Sequence, residues 1–164
     1  MRICYALFFL LAFTRIANAQ PGKDGNKTVA GLNTVINDYT ALTADAVTGA
    51  SVIQVASSAL NSNNTFPAQL SSGDLVMIIQ IQGATMITPD DSTYGSITSY
   101  GSCGNNELCL VDSVISATSI RLACGLQHDY SAAGKTQVIR VPRYNTLTVN
   151  TGASIIAPSW NGTT

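Results

Sequence analysis

Beyond the first twenty residues, apolar side chains recur at every second position in short runs, and Gly, Pro, Asn, Asp and Ser gather between the runs. That period belongs to strands with one sheltered face. It predicts strands over Thr34–Leu42, Ser51–Ala56, Tyr94–Tyr100, Glu107–Ile115, Ser119–Cys124 and Thr136–Val141. Leu75–Ile81 (LVMIIQI) is the most apolar segment after the N-terminus and predicts a central strand buried on both faces. Ser72-Gly73-Asp74 before it reads as a turn in which Gly73 takes a positive φ. Thr85–Tyr94 reads as a loop, and Gly125–Lys135 as a connection with a helical turn. No long stretch shows a 3.6-residue apolar period, so the fold class is all-β: a compact sandwich or barrel-like domain, with the choice between the two open.

The two ends differ from this middle. Met1-Arg2, the apolar run Ile3–Phe13 and the small-x-small step Ala17-Asn18-Ala19 form a signal peptide over residues 1–19, cut between Ala19 and Gln20. The run is too short for a spanning helix, which needs about 20 apolar residues. Residues 20–33 lack apolar periodicity and read as a flexible leader, with the all-β domain over 34–145. In the last segment Leu147 and Val149 alternate with Thr146, Thr148 and Asn150, followed by a turn at Gly152 and a second short apolar run. Thr146–Ala157 thus looks like the first rung of a β-solenoid, and residues 146–164 like the truncated start of a solenoid-like region. A lone rung cannot bury its face, and about three are needed for stability. The alternative is that this strand closes the domain's own sheet.

Charge narrows the partners. Loss of Arg2 and Arg15 with the signal leaves six basic side chains against nine acidic ones, which gives no electrostatic footprint for nucleic acid or an anionic membrane. No second apolar stretch is long enough for membrane insertion after cleavage. Three cysteines survive cleavage, and an oxidising destination permits a disulfide. Cys103 and Cys109 flank a polar stretch that reads as a turn, so they are the expected pair, with Cys124 as a core thiol; three reduced thiols is the alternative. A single histidine and no Cys-x-x-Cys give no metal or cofactor expectation.

The candidate chemistry is sparse. Neighbouring carboxylates Asp90 and Asp91 point to opposite faces of an extended segment and suit a solvated loop better than acid–base work or calcium. His128-Asp129 lacks a nucleophile motif. Arg140 and Arg143 could pair an acidic ligand but are too few for a patch. Trp160, Tyr94, Tyr100 and Tyr144 could stack on sugar rings, although packing is their commoner role. No catalytic residue is expected.

The ordered segments Tyr39–Asp45, Gly49–Val55, Gly73–Gln80, Tyr94–Tyr100, Val138–Tyr144 and Pro158–Thr164 carry a resemblance. The chain resembles the N-terminal region of large secreted or surface proteins of Bacteroidetes-type bacteria, which often end in gliding-motility-associated or type IX secretion sorting domains. The resemblance implies export and further β structure downstream, and it supplies no catalytic residues. The expected function is therefore a non-catalytic secreted module at the head of a surface protein, with a structural or adhesive role and cell-surface or extracellular polysaccharide as its partner. The alternatives are the cap of a carbohydrate-active β-solenoid enzyme and a small carbohydrate-binding module.

Overall fold

The computed structural model describes residues 22–162; the expected signal peptide, with its cut between Ala19 and Gln20, lies outside them. Among the described residues the protein is all-β, with no helix. The strands are β1 (Asn26–Val29), β2 (Asp38–Ala41), β3 (Val52–Gln54), β4 (Leu75–Gln80), β5 (Thr85–Met86), β6 (Ile97–Ser99), β7 (Asn106–Ser116), β8 (Ser119–Leu122), β9 (Thr136–Val141) and β10 (Thr146–Val149).

Six of them form one antiparallel sheet in the order β2-β9-β4-β7-β8-β3. Its two edges meet. Leu42 bridges Val55, Thr43 N donates to Gln54 O, and Ala56 N donates to Ala41 O, both at 2.9 Å. The sheet is thus curled into a barrel-like ring, which settles the choice left open by the sequence. The seam is short, Ala41–Thr43 against Gln54–Ala56, and there each rim strand shelters the other's edge.

A curled sheet has one inner face, and the side-chain period of two decides what fills it. Along β4, Val76, Ile78 and Gln80 point inward while Leu75, Met77 and Ile79 are half-buried outside. The expectation of a strand buried on both faces is corrected here: among the described residues only the inner face of β4 is fully sheltered. The interior packs Leu42, Ile53, Val55, Val76, Ile78, Val111, Ile120, Leu122 and Val138, and the loop residues Leu60, Leu70, Leu126 and Tyr130 close it.

Both ends of the inner row on β4 are polar. At one end Gln80 Oε1 accepts from Ser131 N at 2.8 Å, Gln80 Nε2 donates to Gln82 O at 2.7 Å, and Thr136 Oγ1 donates to Ser131 O at 2.7 Å. At the other end Asp74 meets Arg140. Arg140 Nη2 lies 3.1 Å from Asp74 Oδ2 and 3.8 Å from Asp24 Oδ1, Nη1 donates to Ala68 O at 2.8 Å, and the guanidinium stacks 3.9 Å from the Phe66 ring centroid. Lys23 Nζ reaches Asp74 Oδ1 at 2.6 Å from outside.

Two further expectations change. Residues 20–33 are not an unattached leader: β1 lies within them, and the Asp24 side chain is buried against Arg140. Three polar residues and one valine, Asn26-Lys27-Thr28-Val29, make a strand only because β10 supplies a partner 120 positions away. The segment Thr85–Tyr94, expected as loop, contributes β5, which pairs with β6 as a separate exposed ribbon. Gly125–Lys135 holds one tight turn, in which Gly134 N donates to Ser131 O and Lys135 N to Ala132 O, both at 3.1 Å, and Glu107, Gln80 and Asp45 hold other backbone amides of the segment. The turn before β4 is as expected, with Gly73 at φ 80°.

Candidate functional site

The sequence-singled residues do not converge. Asp91 sits in an exposed turn, where Oδ1 accepts from Thr93 N at 2.7 Å and Thr93 Oγ1 at 2.5 Å; these bonds hold its carboxyl below the usual range. Asp129 accepts from Thr48 N at 2.7 Å and Thr48 Oγ1 at 2.9 Å and is lowered chiefly by those bonds, with a smaller contribution from His128. His128 stacks edge-on against Tyr130, with ring centroids 6.5 Å apart, and its backbone N–H goes to Glu107. No His–Asp couple is formed. Arg140 and Arg143 face no external acid: Arg140 neutralises Asp74 and Asp24, Arg143 N donates to Asp24 Oδ2 at 2.7 Å, and Arg143 Nη2 donates to Gly73 O. Tyr94 and Tyr100 are exposed around the β5–β6 ribbon, Trp160 lies beside Tyr39 and Gln137 in a groove, and the Tyr144 hydroxyl is buried. These aromatic side chains share no single platform.

The cysteines also depart from expectation. The turn ends at Gly104, and Asn106, Glu107 and Leu108 already belong to β7. In the β4–β7 register Cys109 faces Val76, whereas Cys103 lies against Ile81, five strand steps of about 3.3 Å away and beyond the reach of a disulfide. Cys103 Sγ instead donates to Ile81 O at 3.1 Å, and all three cysteines are free thiols. Cys109 is the buried one and Cys124 the exposed one, the reverse of the core assignment given to Cys124. Burial, then the neighbouring Glu107 carboxylate, pushes the Cys109 thiol up to about 12. Burial likewise raises the Tyr130 phenol.

These shifts fix a sign. A thiol that stays protonated in the fold while the unfolded chain ionises near 9 stabilises the fold fully below pH 9 and loses that contribution as pH climbs toward 12. One unit is about 1.4 kcal/mol, so half of the shift, allowing for water in the adjoining groove, is about 2 kcal/mol. Urea unfolding of the reduced protein should therefore show stability falling between pH 9 and 12, and Cys109→Ala should flatten the fall. An identical slope in the variant would remove Cys109 from the account.

The arrangement with an unsatisfied geometry lies elsewhere. β1 and β10 pair parallel, Asn26 with Thr146 through Val29 with Val149. The companionship continues round a corner: Asn150 N donates to Val29 O at 2.9 Å, Ser154 N to Gly31 O at 3.1 Å, and Thr34 bridges Ile155, again parallel. Two stretches of chain thus run the same course, one stacked beside the other, as successive coils of a solenoid do. The first coil is seated on the barrel by Lys23, Asp24 and Lys27, the last donating to Thr65 O at 3.3 Å. The second is covered on one side only. Among the described residues β10 has β1 as its sheet neighbour and no other, and Leu147, Val149, Ile155 and Ile156 remain exposed. The sequence showed the second coil through its alternation but not the first, whose strand is polar.

No family model matches the chain, and no curated protein is significantly similar to it. Solved structures that resemble it in part include the Gp54 tailspike of Acinetobacter baumannii bacteriophage AP22, in complex with A. baumannii capsular saccharide, at 16% identity and TM-score 0.43, over 76% of this chain and 19% of that one. The Pseudomonas phage phi297 tailspike gp61 matches at 14% identity and TM-score 0.42, over 82% of this chain and 22% of the tailspike. The tailspike gp49 of Pseudomonas phage LKA1 matches at 20% identity and TM-score 0.38, over 73% and 20%. The chain spans about a fifth of the length of the solved structures it resembles.

Proposed function

We propose that this chain is a non-catalytic, exported surface module that founds a stack of parallel β-coils: the barrel is the base, residues 26–34 are the first coil and residues 146–156 the second. The observation that carries the reading is the parallel β1–β10 ladder continued by the Thr34–Ile155 bridge. Parallel strands far apart in sequence pair in this repeated way when coils stack, and stacking has to be started by something that hides the first coil's inner side. β10 then offers an unpaired edge and uncovered apolar side chains to a further strand of the same kind. Export and a place at the head of a bacterial surface protein remain part of the proposal, carried by the leader sequence and the resemblance described above.

The assignment of no reaction has its own support. Seven of the nine carboxylates accept from backbone N–H groups. Asp38 accepts from Ser62, Asp45 from Ser131 and Ala132, Glu107 from Gln127 and His128, and Asp24 and Asp74 face arginine. A general acid or base must be free to exchange its proton with a substrate, and these are committed elsewhere.

The test is to join residues 20–164, through Thr164, to an unrelated parallel β-coil array that has its own far-end cap. Hydrogen exchange of residues 146–156 should slow at least tenfold relative to the module alone, with the fusion monomeric. Exchange unchanged by the added coils would end the proposal.

A further inference from the structure

β7 and β8 pair antiparallel with Val111 opposite Leu122. The ladder runs on past the end of β8, because Ala123 N donates to Leu110 O at 2.8 Å. The next step in that register sets Cys109 opposite Cys124. The pair is of the type that exchanges no hydrogen bonds across the strands. Val111 N donates to Asp74 O at 2.8 Å, toward β4, while Leu110 O serves β8; two positions from Val111, Cys109 again directs its backbone to β4, where it faces Val76. Pairs of this type bring Cα atoms to about 4.5 Å, inside the range of about 4.4–6.8 Å that disulfides span. By strand parity Cys109 follows the buried Val111 and Cys124 follows the buried Leu122, with Cys124 itself exposed just past the end of β8. Both cysteines line one groove of about 370 Å³ together with Glu107, Leu110 and Gln127.

We propose that Cys109 and Cys124 are a dithiol site that closes to a cross-strand disulfide on meeting a small-molecule disulfide of the glutathione type. The exposed Cys124, as thiolate, attacks one sulfur of the oxidised reagent, forming a mixed disulfide and releasing one glutathione thiolate. Cys109 then loses its proton to hydroxide from the solvent in the groove that both cysteines line. Its sulfur attacks Cys124 Sγ, the mixed S–S bond breaks, and the second glutathione leaves as thiolate. Two protein thiols and one reagent disulfide become one protein disulfide and two reduced glutathiones. Cys103 takes no part: it lies beyond the start of β7, with its thiol donated to Ile81 O. Attack from a buried thiol sets the pace of the second step, so ring closure accelerates as pH rises.

The bridge ties β7 to β8 where their ladder ends and closes a loop of about 15 residues, which for a chain of this size corresponds to a rise of about 5–10 °C in Tm. The test treats reduced protein, residues 20–164, with oxidised glutathione at pH 8, blocks remaining thiols with iodoacetamide and maps peptides by mass spectrometry. The expected product joins the peptides holding Cys109 and Cys124, with Cys103 alkylated, and Tm rises. Cys103→Ser should keep both the bridge and the rise, and Cys124→Ser should lose both. A bridge that includes Cys103, a glutathione adduct that persists on Cys124, or three alkylated cysteines would each overturn the proposal. The experiment does not involve the β10 edge, so its outcome is separate from that of the coil-stacking fusion.

Discussion

Arg140→Met is expected to cost about 3–5 kcal/mol of unfolding free energy, the usual penalty for removing one partner from a buried ion pair. The Asp74 and Asp24 side chains beside it are only 3% and 5% exposed. Without the guanidinium, Asp24 loses its ion-pair partner and Asp74 keeps only Lys23, whose side chain is 28% exposed. The carbonyls of Leu60 and Ala68 lose their donor, and Phe66 loses the cation on its ring. A methionine fills the volume of the stem but answers none of these groups. The loss should be non-additive. Adding Asp74→Asn to the Arg140→Met background should return part of it, because one stranded charge is removed. Urea titration of the four proteins of that cycle measures the coupling. A single variant within 1 kcal/mol of the parent, or strictly additive losses, would show that the cluster is incidental to stability.

Ile78→Ala is expected to cost about 2–5 kcal/mol, through lost transfer energy and the cavity left in a packed interior. Ile78 is fully buried at the middle of β4, which is flanked by β7 and β9 and so cannot shift toward the space without breaking two ladders. Met77→Ala on the same strand points to the half-buried outer face and should cost markedly less. Thermal unfolding followed by circular dichroism compares the two. Equal losses would contradict the inward and outward assignment of β4. Typical domains hold 5–15 kcal/mol in all, so Ile78→Ala could leave little stability in reserve.

The strands were legible because their signal is local. Thr136–Val141 is a short β-branched run between turn residues and is found with the bounds read. The inner face of β4 was half legible: the apolar period was plain, but seven apolar or amide side chains in a row hid which face was inside. What the sequence withheld depends on contacts between distant positions. Asp74 and Arg140 are unremarkable apart, and only the pairing of Val76 with Arg140 in the β4–β9 register brings the two charges to one end of the ring. Asn26–Val29 has no apolar alternation, so no local reading makes it a strand. The cysteines failed for the same reason. Proximity in sequence favoured Cys103 with Cys109, whereas a strand separates neighbours along the chain and the β7–β8 register juxtaposes Cys109 and Cys124. The candidate site was legible on its second coil alone.

The pairing of the first strand with the last, both running in the same direction, has a mechanical consequence. Tension applied between the segments around residues 22 and 162 draws β1 backward from its start and β10 forward from its end. The two slide along their length, so every hydrogen bond between them is strained together instead of parting one at a time like a zip. The ionic seat of Asp24 and Lys23 lies ahead of β1 on the same line of force. A tethered chain of this construction would resist drag at its ends while the ring behind the clamp carries little of the load.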